Sequence, residues 1–204
     1  MTARPNRREE QRARTRQVLA EAALAAFLER GIDAVTVEEI AREAGVSPRT
    51  FFLHFGSKAA AIFPDHDTNI AWFRTGLAAL PRDGDVVRDL CDLVVEGVRR
   101  QSESSFRQRR RRLVVTSPAV RDLDARTDRD YEEAAAEHLL DRWSGDATAR
   151  LDARVLANVV IGVARAALDA WGHDGTDPVT ATRSTLDRLL LPPLGTPTRL
   201  AVAG

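Results

Sequence analysis

An all-α protein is what this sequence predicts, on three observations. Apolar residues recur at helical spacing along most of the 204 residues. No strand-like alternation of useful length interrupts them, and Gly, Pro, Ser and Asp fall where helices would start and stop. At 44% hydrophobic and 29% charged, with 12 Gly and 9 Pro, the chain is too apolar to be disordered and too poor in Gly and Pro to be collagen-like. The length suits one large domain or two small ones. A single cysteine, Cys91, excludes an internal disulfide framework and a cysteine-built zinc site, which fits a reducing cytoplasm. The N-terminal arginines precede no apolar run of the kind a secretory signal needs. Apolar stretches such as Val159 to Ala164 are far below the roughly 20 residues that span a bilayer. A soluble cytoplasmic protein with no membrane partner is expected.

The elements follow in order. Val18, Leu19, Ala22, Ala23, Ala26 and Phe27 mark one face of a first helix over about 8–30, and Gly31 stops it. Thr36-Val37-Glu38-Glu39 reads as a capping box opening a second helix, with Val37, Ile40, Ala41 and Ala44 on its apolar side. Gly45-Val46 breaks that helix. Ser47-Pro48 starts a third, since Ser caps well and Pro at the first helical position gives up an amide that has no partner there. This helix should end near Phe55, and Gly56-Ser57-Lys58 repeats the stop-and-cap pattern. Turn signals at Pro81 to Gly84, Ser117-Pro118, Ser144-Gly145-Asp146 and Gly172 to Gly175 divide residues 58–191 into about five further helices, within a total of about nine. Pro192 to Pro197 cannot continue a helix, so 192–204 is expected to be a flexible tail. The expected organisation is a small N-terminal unit over 1–62 and a larger one over 63–191.

The 30 basic and 30 acidic residues cancel, but unevenly. Residues 1–16 carry six arginines against two glutamates, a net +4, while residues 17–60 and 61–204 each carry −2. The positive excess sits where a footprint on phosphate would need it, although a short basic run is equally often a solvated tail.

Two short helices joined by a tight Gly-containing turn form a helix-turn-helix, whose second helix can lie in a major groove. Ala41 is small where the helices cross, Gly45 permits a left-handed turn residue, and Val46 and Phe51 face inward. Arg49, Thr50, Phe52 and His54 then point elsewhere. Arg49 can donate two hydrogen bonds to guanine, Thr50 can reach a phosphate or a thymine methyl, and Lys58 can add a phosphate contact. An ordinary helix pair in an all-α core would share this spacing.

Residues 36–58, TVEEIAREAGVSPRTFFLHFGSK, closely resemble the helix-turn-helix signature of the tetracycline-repressor (TetR/AcrR) family, and residues 12–62 resemble its three-helix head. Beyond residue 62 the resemblance is architectural. It implies a transcriptional regulator, more often a repressor, that binds double-stranded operator DNA as a homodimer and responds to a small-molecule effector without a cofactor. It places Thr36, Ser47, Pro48, Arg49, Thr50, Phe52, His54 and Lys58 at the DNA, with Arg12 and Arg16, or the arm before them, adding backbone or minor-groove contacts. The family usually has Tyr where this chain has Phe52, so the ring is kept and a phosphate hydrogen bond is lost.

In the C-terminal part, a helix over about 151–171 is apolar nearly all round and must be covered on both sides. By resemblance, Val155, Val159, Gly162, Val163 and Ala166 on it, with Leu186, Leu189 and Leu190 on the next helix, form a four-helix homodimer interface. A central helix in a monomeric bundle is the plainer alternative. Trp72, Phe73, Phe106, Tyr131, His138, Trp143 and Trp171 are the bulky or polar side chains available to line an effector pocket, although most of them suit a plain core.

Two further patches stand out. Salt bridging between neighbouring helices and a solvated face explain the Arg107 to Arg112 run most simply, so reversing Arg110 and Arg111 to Glu is expected to leave operator affinity within about threefold. Pro64-Asp65-His66-Asp67 should bend or end the fourth helix. It offers neighbouring ligand types but no second cluster to complete a metal site, and none is assigned. Enzyme motifs are missing: there is no G-x-S-x-G, no phosphate-cradling Gly-rich loop and no H-E-x-x-H. No catalytic residue is assigned. The competing readings are a helical ligand-binding or scaffold protein that has lost DNA binding, and a small helical enzyme.

Overall fold

The computed structural model describes residues 7–143 and 147–190. Arg4 of the arm, the expected turn at 144–146 and the expected tail at 192–204 lie outside the described residues. Nine α-helices and one 3-10 turn make up the described fold: α1 (Arg7–Arg30), α2 (Val37–Glu43), α3 (Pro48–His54), the 3-10 turn Ala59–Ile62, α4 (His66–Ala79), α5 (Val86–Ser102), α6 (Ser105–Thr116), α7 (Pro118–Arg142), α8 (Ala147–Asp174) and α9 (Pro178–Leu190). Among the described residues there is no strand.

Local sequence accounts for most of the ends. Gly31, Gly45 and Gly175 sit at φ +81°, +69° and +82°, the left-handed region that side chains with a Cβ avoid, and they end α1, α2 and α8. Pro118 and Pro178 each occupy the first position of a helix.

Three boundaries differ from the sequence reading. The stretch expected as one helix over 85–116 is two, because α5 stops at Ser102 and α6 starts at Ser105 without a Gly or Pro between them. In the last turn of α5, Ser102 Oγ donates to the Arg99 carbonyl oxygen at 2.8 Å, and the Glu103 amide closes the helix on the same oxygen at 3.2 Å. Pro64 lies ahead of α4 rather than inside it, between the 3-10 turn and His66. Helix α8 begins earlier and ends later than expected and includes Gly172.

The chain divides into two compact units. The first holds the described residues up to Asn69 together with Phe106–Thr127, and the second holds Ile70–Ser105 with the described residues from Asp128 onward. The division is discontinuous in sequence, unlike the contiguous one drawn from the residues alone, and it places α6 with the N-terminal helices. The first unit has its own core of Leu19, Leu24, Phe27, Val35, Ile40, Phe51, Phe55 and Ile62, joined by Phe106, Leu113, Val114 and Val120. The core of the second is built on Phe73, Leu90, Val94, Leu139, Ala157, Val160, Leu168 and Leu186.

The Arg107 to Arg112 run belongs to the first unit and is mostly not a solvated face. Arg110 and Arg111 are buried. Arg111 Nη1 donates to Asp124 Oδ2 at 2.6 Å, and the carboxylate is buried too. Arg107 donates through Nε to Asp65 Oδ2 at 2.6 Å, Arg110 lies 3.4 Å from Asp65 Oδ1, and Arg109 meets Glu21 on α1 at 2.5 Å. The expectation that reversing Arg110 and Arg111 leaves operator affinity within about threefold took them for part of a solvated face, and that premise is corrected. Glutamates there would be buried against Asp65 and Asp124, which is expected to destabilise the unit.

Candidate nucleic-acid interface

The site is built from α2 and α3. Thr36 Oγ1 accepts from the Glu39 amide at 3.2 Å, and the Glu39 carboxylate accepts from the Thr36 amide at 2.8 Å. Arg30 anchors the same carboxylate at 2.8 Å, and Arg30 first and Thr36 second hold the Glu39 pKa down at about 2. At the turn, the Gly45 and Val46 amides bond back to the carbonyls of Arg42 and Ala41 at 3.1 and 2.9 Å. Ser47 Oγ then accepts from the Thr50 amide at 3.1 Å and caps α3, with Pro48 in its first turn.

Phe51 is buried completely and Phe55 almost so, one helical turn apart, and they fasten α3 to the core. At 100° per residue the direction opposite this pair is occupied by Arg49 and Leu53. Ser47, Pro48, Arg49, Phe52 and Leu53 are exposed, while Thr50 and His54 are half-buried. Helix α3 contains no acidic residue. Leu53, 67% exposed, was not among the residues singled out from sequence. Its position one turn after Arg49 is the signal that could have found it.

The remaining expected DNA contacts divide in two. Thr36 and Arg12 are exposed. Arg16 is turned into the unit: it donates to the carbonyl oxygens of His54 and of Pro64 (2.8 Å for the latter), and its guanidinium lies 4.4 Å from the Phe55 ring centroid. Lys58 Nζ donates to the Val35 carbonyl at 3.0 Å. In His54 the Nδ1 atom is buried without a hydrogen-bond partner. Burial first, then Arg12 and Arg16, push its pKa below the usual histidine value, which favours the neutral ring.

In the second unit, Phe73 and Tyr131 meet edge to face at 5.4 Å between centroids, and Trp72, Trp143 and Trp171 pack on the same core. Phe106, also expected in an effector pocket, packs in the core of the first unit. The Nε2 atom of His138 is buried and unpartnered, and burial, followed by Arg142, lowers its pKa. Along α8 and α9, Val155 and Leu189 are exposed by 53% and 55%, and a groove of about 430 Å³ is lined by Val159, Gly162, Val163 and Ala166 among others. Leu186 does not join this surface: it is fully buried within the unit, while Leu190 is half-buried against the same core. Among the described residues no three His, Cys, Asp or Glu side chains converge to hold a metal ion, and no helix is long and apolar enough to cross a membrane.

A capped helix pair with a positive-φ glycine turn, showing Arg49 on the outer face of its second helix, defines a helix-turn-helix DNA-binding protein. Comparison with known proteins agrees. The family model for bacterial regulatory proteins of the tetR family matches residues 19–61, and that for the MftR C-terminal domain matches residues 89–192. The chain belongs to the tetR family of DNA-binding transcriptional regulators, with a C-terminal domain of the MftR type. It is 26% identical over 171 residues to MftR of Mycobacterium tuberculosis, a transcriptional regulator named for mycofactocin biosynthesis, covering 83% of this chain and 85% of that one. It is 48% identical over 54 residues to the HTH-type transcriptional regulator TcmR of Streptomyces glaucescens, which is 26% of this chain and 24% of TcmR. Its fold matches NalD of Pseudomonas aeruginosa, the secondary repressor of the MexAB-OprM efflux pump, at a TM-score of 0.62 and 22% identity, over 87% of this chain and 95% of NalD.

Proposed function

We propose that the protein is a cytoplasmic, ligand-responsive repressor that grips a near-palindromic operator as a homodimer, each copy laying α3 in a major groove. The observation that carries this reading is the outer face of α3, where Arg49 stands exposed on a helix without a carboxylate. Ser47, Pro48, Thr50 and Phe52 flank it, and Thr36 and Arg12 reach the phosphates. Arg16 and Lys58 act chiefly from behind, by holding the recognition helix in place.

The partner copy would cover the α8–α9 face, in which Val155 and Leu189 stay exposed beside the apolar groove at Val159, Gly162, Val163 and Ala166. Two half-sites then lie about 34 Å apart. An apolar effector would enter the second unit among Trp72, Phe73, Tyr131, Trp143 and Trp171, with His138 offering it a neutral polar contact. To release DNA, it must bind the dimer geometry that fits the operator less well. The reading is regulatory, with no catalytic step and no cofactor. A gel shift on the DNA upstream of the protein's own coding sequence tests it: a specific, salt-sensitive shift supports the reading, and purely nonspecific binding contradicts it.

A further inference from the structure

The recognition helix carries an apolar pair where polar readers of bases are the more obvious choice. Leu53 is 67% exposed and Phe52 57% exposed. Leu53 sits opposite the buried Phe51 and Phe55, on the same face as Arg49 and one turn further along. Phe52 is held beside it by an edge-to-face contact with Phe51, 5.5 Å between centroids. Exposing two large apolar side chains side by side on a seven-residue helix is unfavourable unless something covers them. The cover must also accept Arg49 on the same face, with no acidic residue on α3 to oppose it, and duplex DNA meets both demands. Its major groove offers one apolar group, the thymine 5-methyl, which stands beside the guanine acceptors that suit an arginine.

We propose that Leu53, with Phe52, is a specificity-determining residue that reads thymine methyl groups, so the half-site combines a guanine under Arg49 with thymine under Leu53. The inference rests on the operator-binding reading above and adds the chemistry of the sequence read. Four residues of helix advance about 6 Å, and base pairs rise about 3.4 Å, so the guanine and the thymine lie roughly two base pairs apart.

The test uses the full chain and duplexes selected from a random pool. Each thymine in the enriched half-site is then replaced by deoxyuridine, which removes only the methyl group and keeps the base pairing. Expected is a loss of about fourfold for each contacted methyl, the factor of one buried methyl group. The loss should vanish in Leu53→Ala or Phe52→Ala, exposed positions whose truncation leaves the core intact. An enriched site at which deoxyuridine costs nothing, or costs the same in the variants, overturns this inference and leaves operator binding standing. Failure to enrich any sequence overturns operator binding and this inference with it.

Discussion

The Arg16 guanidinium donates to the main-chain oxygen of His54, the last residue of the recognition helix, across 38 residues of sequence. The same side chain donates to Pro64 O and lies over the Phe55 ring, so one arginine of α1 holds both the end of α3 and the segment leading into α4.

Arg16 and Arg12 are therefore expected to behave differently, although both are basic residues of one helix. Arg16→Ala removes charge-assisted hydrogen bonds and should destabilise the protein by about 1.5–3 kcal/mol, with the salt dependence of operator binding unchanged. Arg12→Ala should leave stability alone and flatten the plot of log affinity against log salt by about one unit. Denaturant unfolding and anisotropy titrations at several salt concentrations separate the two roles. Equal salt slopes for both variants would show that Arg16 also acts as a phosphate contact.

The Arg111–Asp124 pair gives a sharper stability prediction. Asp124→Asn leaves a buried guanidinium short of its counter-charge and should cost about 3–5 kcal/mol. The double variant Arg111→Met, Asp124→Leu should recover most of that, since an apolar pair of similar volume needs no desolvation of charge. Urea midpoints of the single and double variants check this, and a double variant as unstable as the single would contradict it.

What could be read in advance was local. The capping box at Thr36 and Glu39, the Ser47-Pro48 start and the stops at Gly31 and Gly45 need only residues within a turn of each other, and the structure has all of them. The partners of the arginine run could not be read so, because Arg109 meets Glu21 across 88 residues and Arg107 meets Asp65 across 42. Nothing in local spacing says which of many carboxylates an arginine will find. The same reasoning covers Phe106, whose aromatic character suited either core, and Leu186, whose place on an amphipathic helix fitted a partner face as well as an interior. For Leu53 the information is present in the period of α3, which sets it on the face of Arg49.

Phe52→Tyr should tighten operator binding by about two- to tenfold, the gain of one hydrogen bond worth about 0.5–1.5 kcal/mol to a phosphate. Phe52 is exposed, so melting temperature should not change. Unchanged affinity would place the ring edge away from the backbone.

On the α8–α9 face, Leu189→Glu and Val155→Glu should dissociate the dimer without unfolding the chain, since both side chains are exposed in a single copy. Leu186→Ala should instead cost about 2–5 kcal/mol of stability, because Leu186 belongs to the core. Sedimentation at micromolar concentration reads the first effect and thermal unfolding the second. A wild-type monomer in sedimentation would refute the dimer.

His54 and His138 have pKa values pushed down, by burial first in each case, so the unfolded chain binds more protons than the folded one as pH falls. The stability they contribute is full above the ordinary histidine value and is lost as pH drops below about 6.5. The variant His54→Phe, His138→Phe should lose less stability than wild type between pH 7 and pH 5, measured by thermal melts. Parallel curves would exclude these two groups as the source.

The central claim is that a dimer reads DNA through the outer face of α3, and Arg49→Ala against wild type on a selected operator tests it most directly. The account predicts one dimer per operator and an affinity that falls steeply with salt. It also predicts an Arg49→Ala loss of about 1–3 kcal/mol with preference relaxed at the guanine position alone. Wild-type binding with no sequence preference, or an Arg49→Ala variant with unaltered affinity and preference, would contradict it.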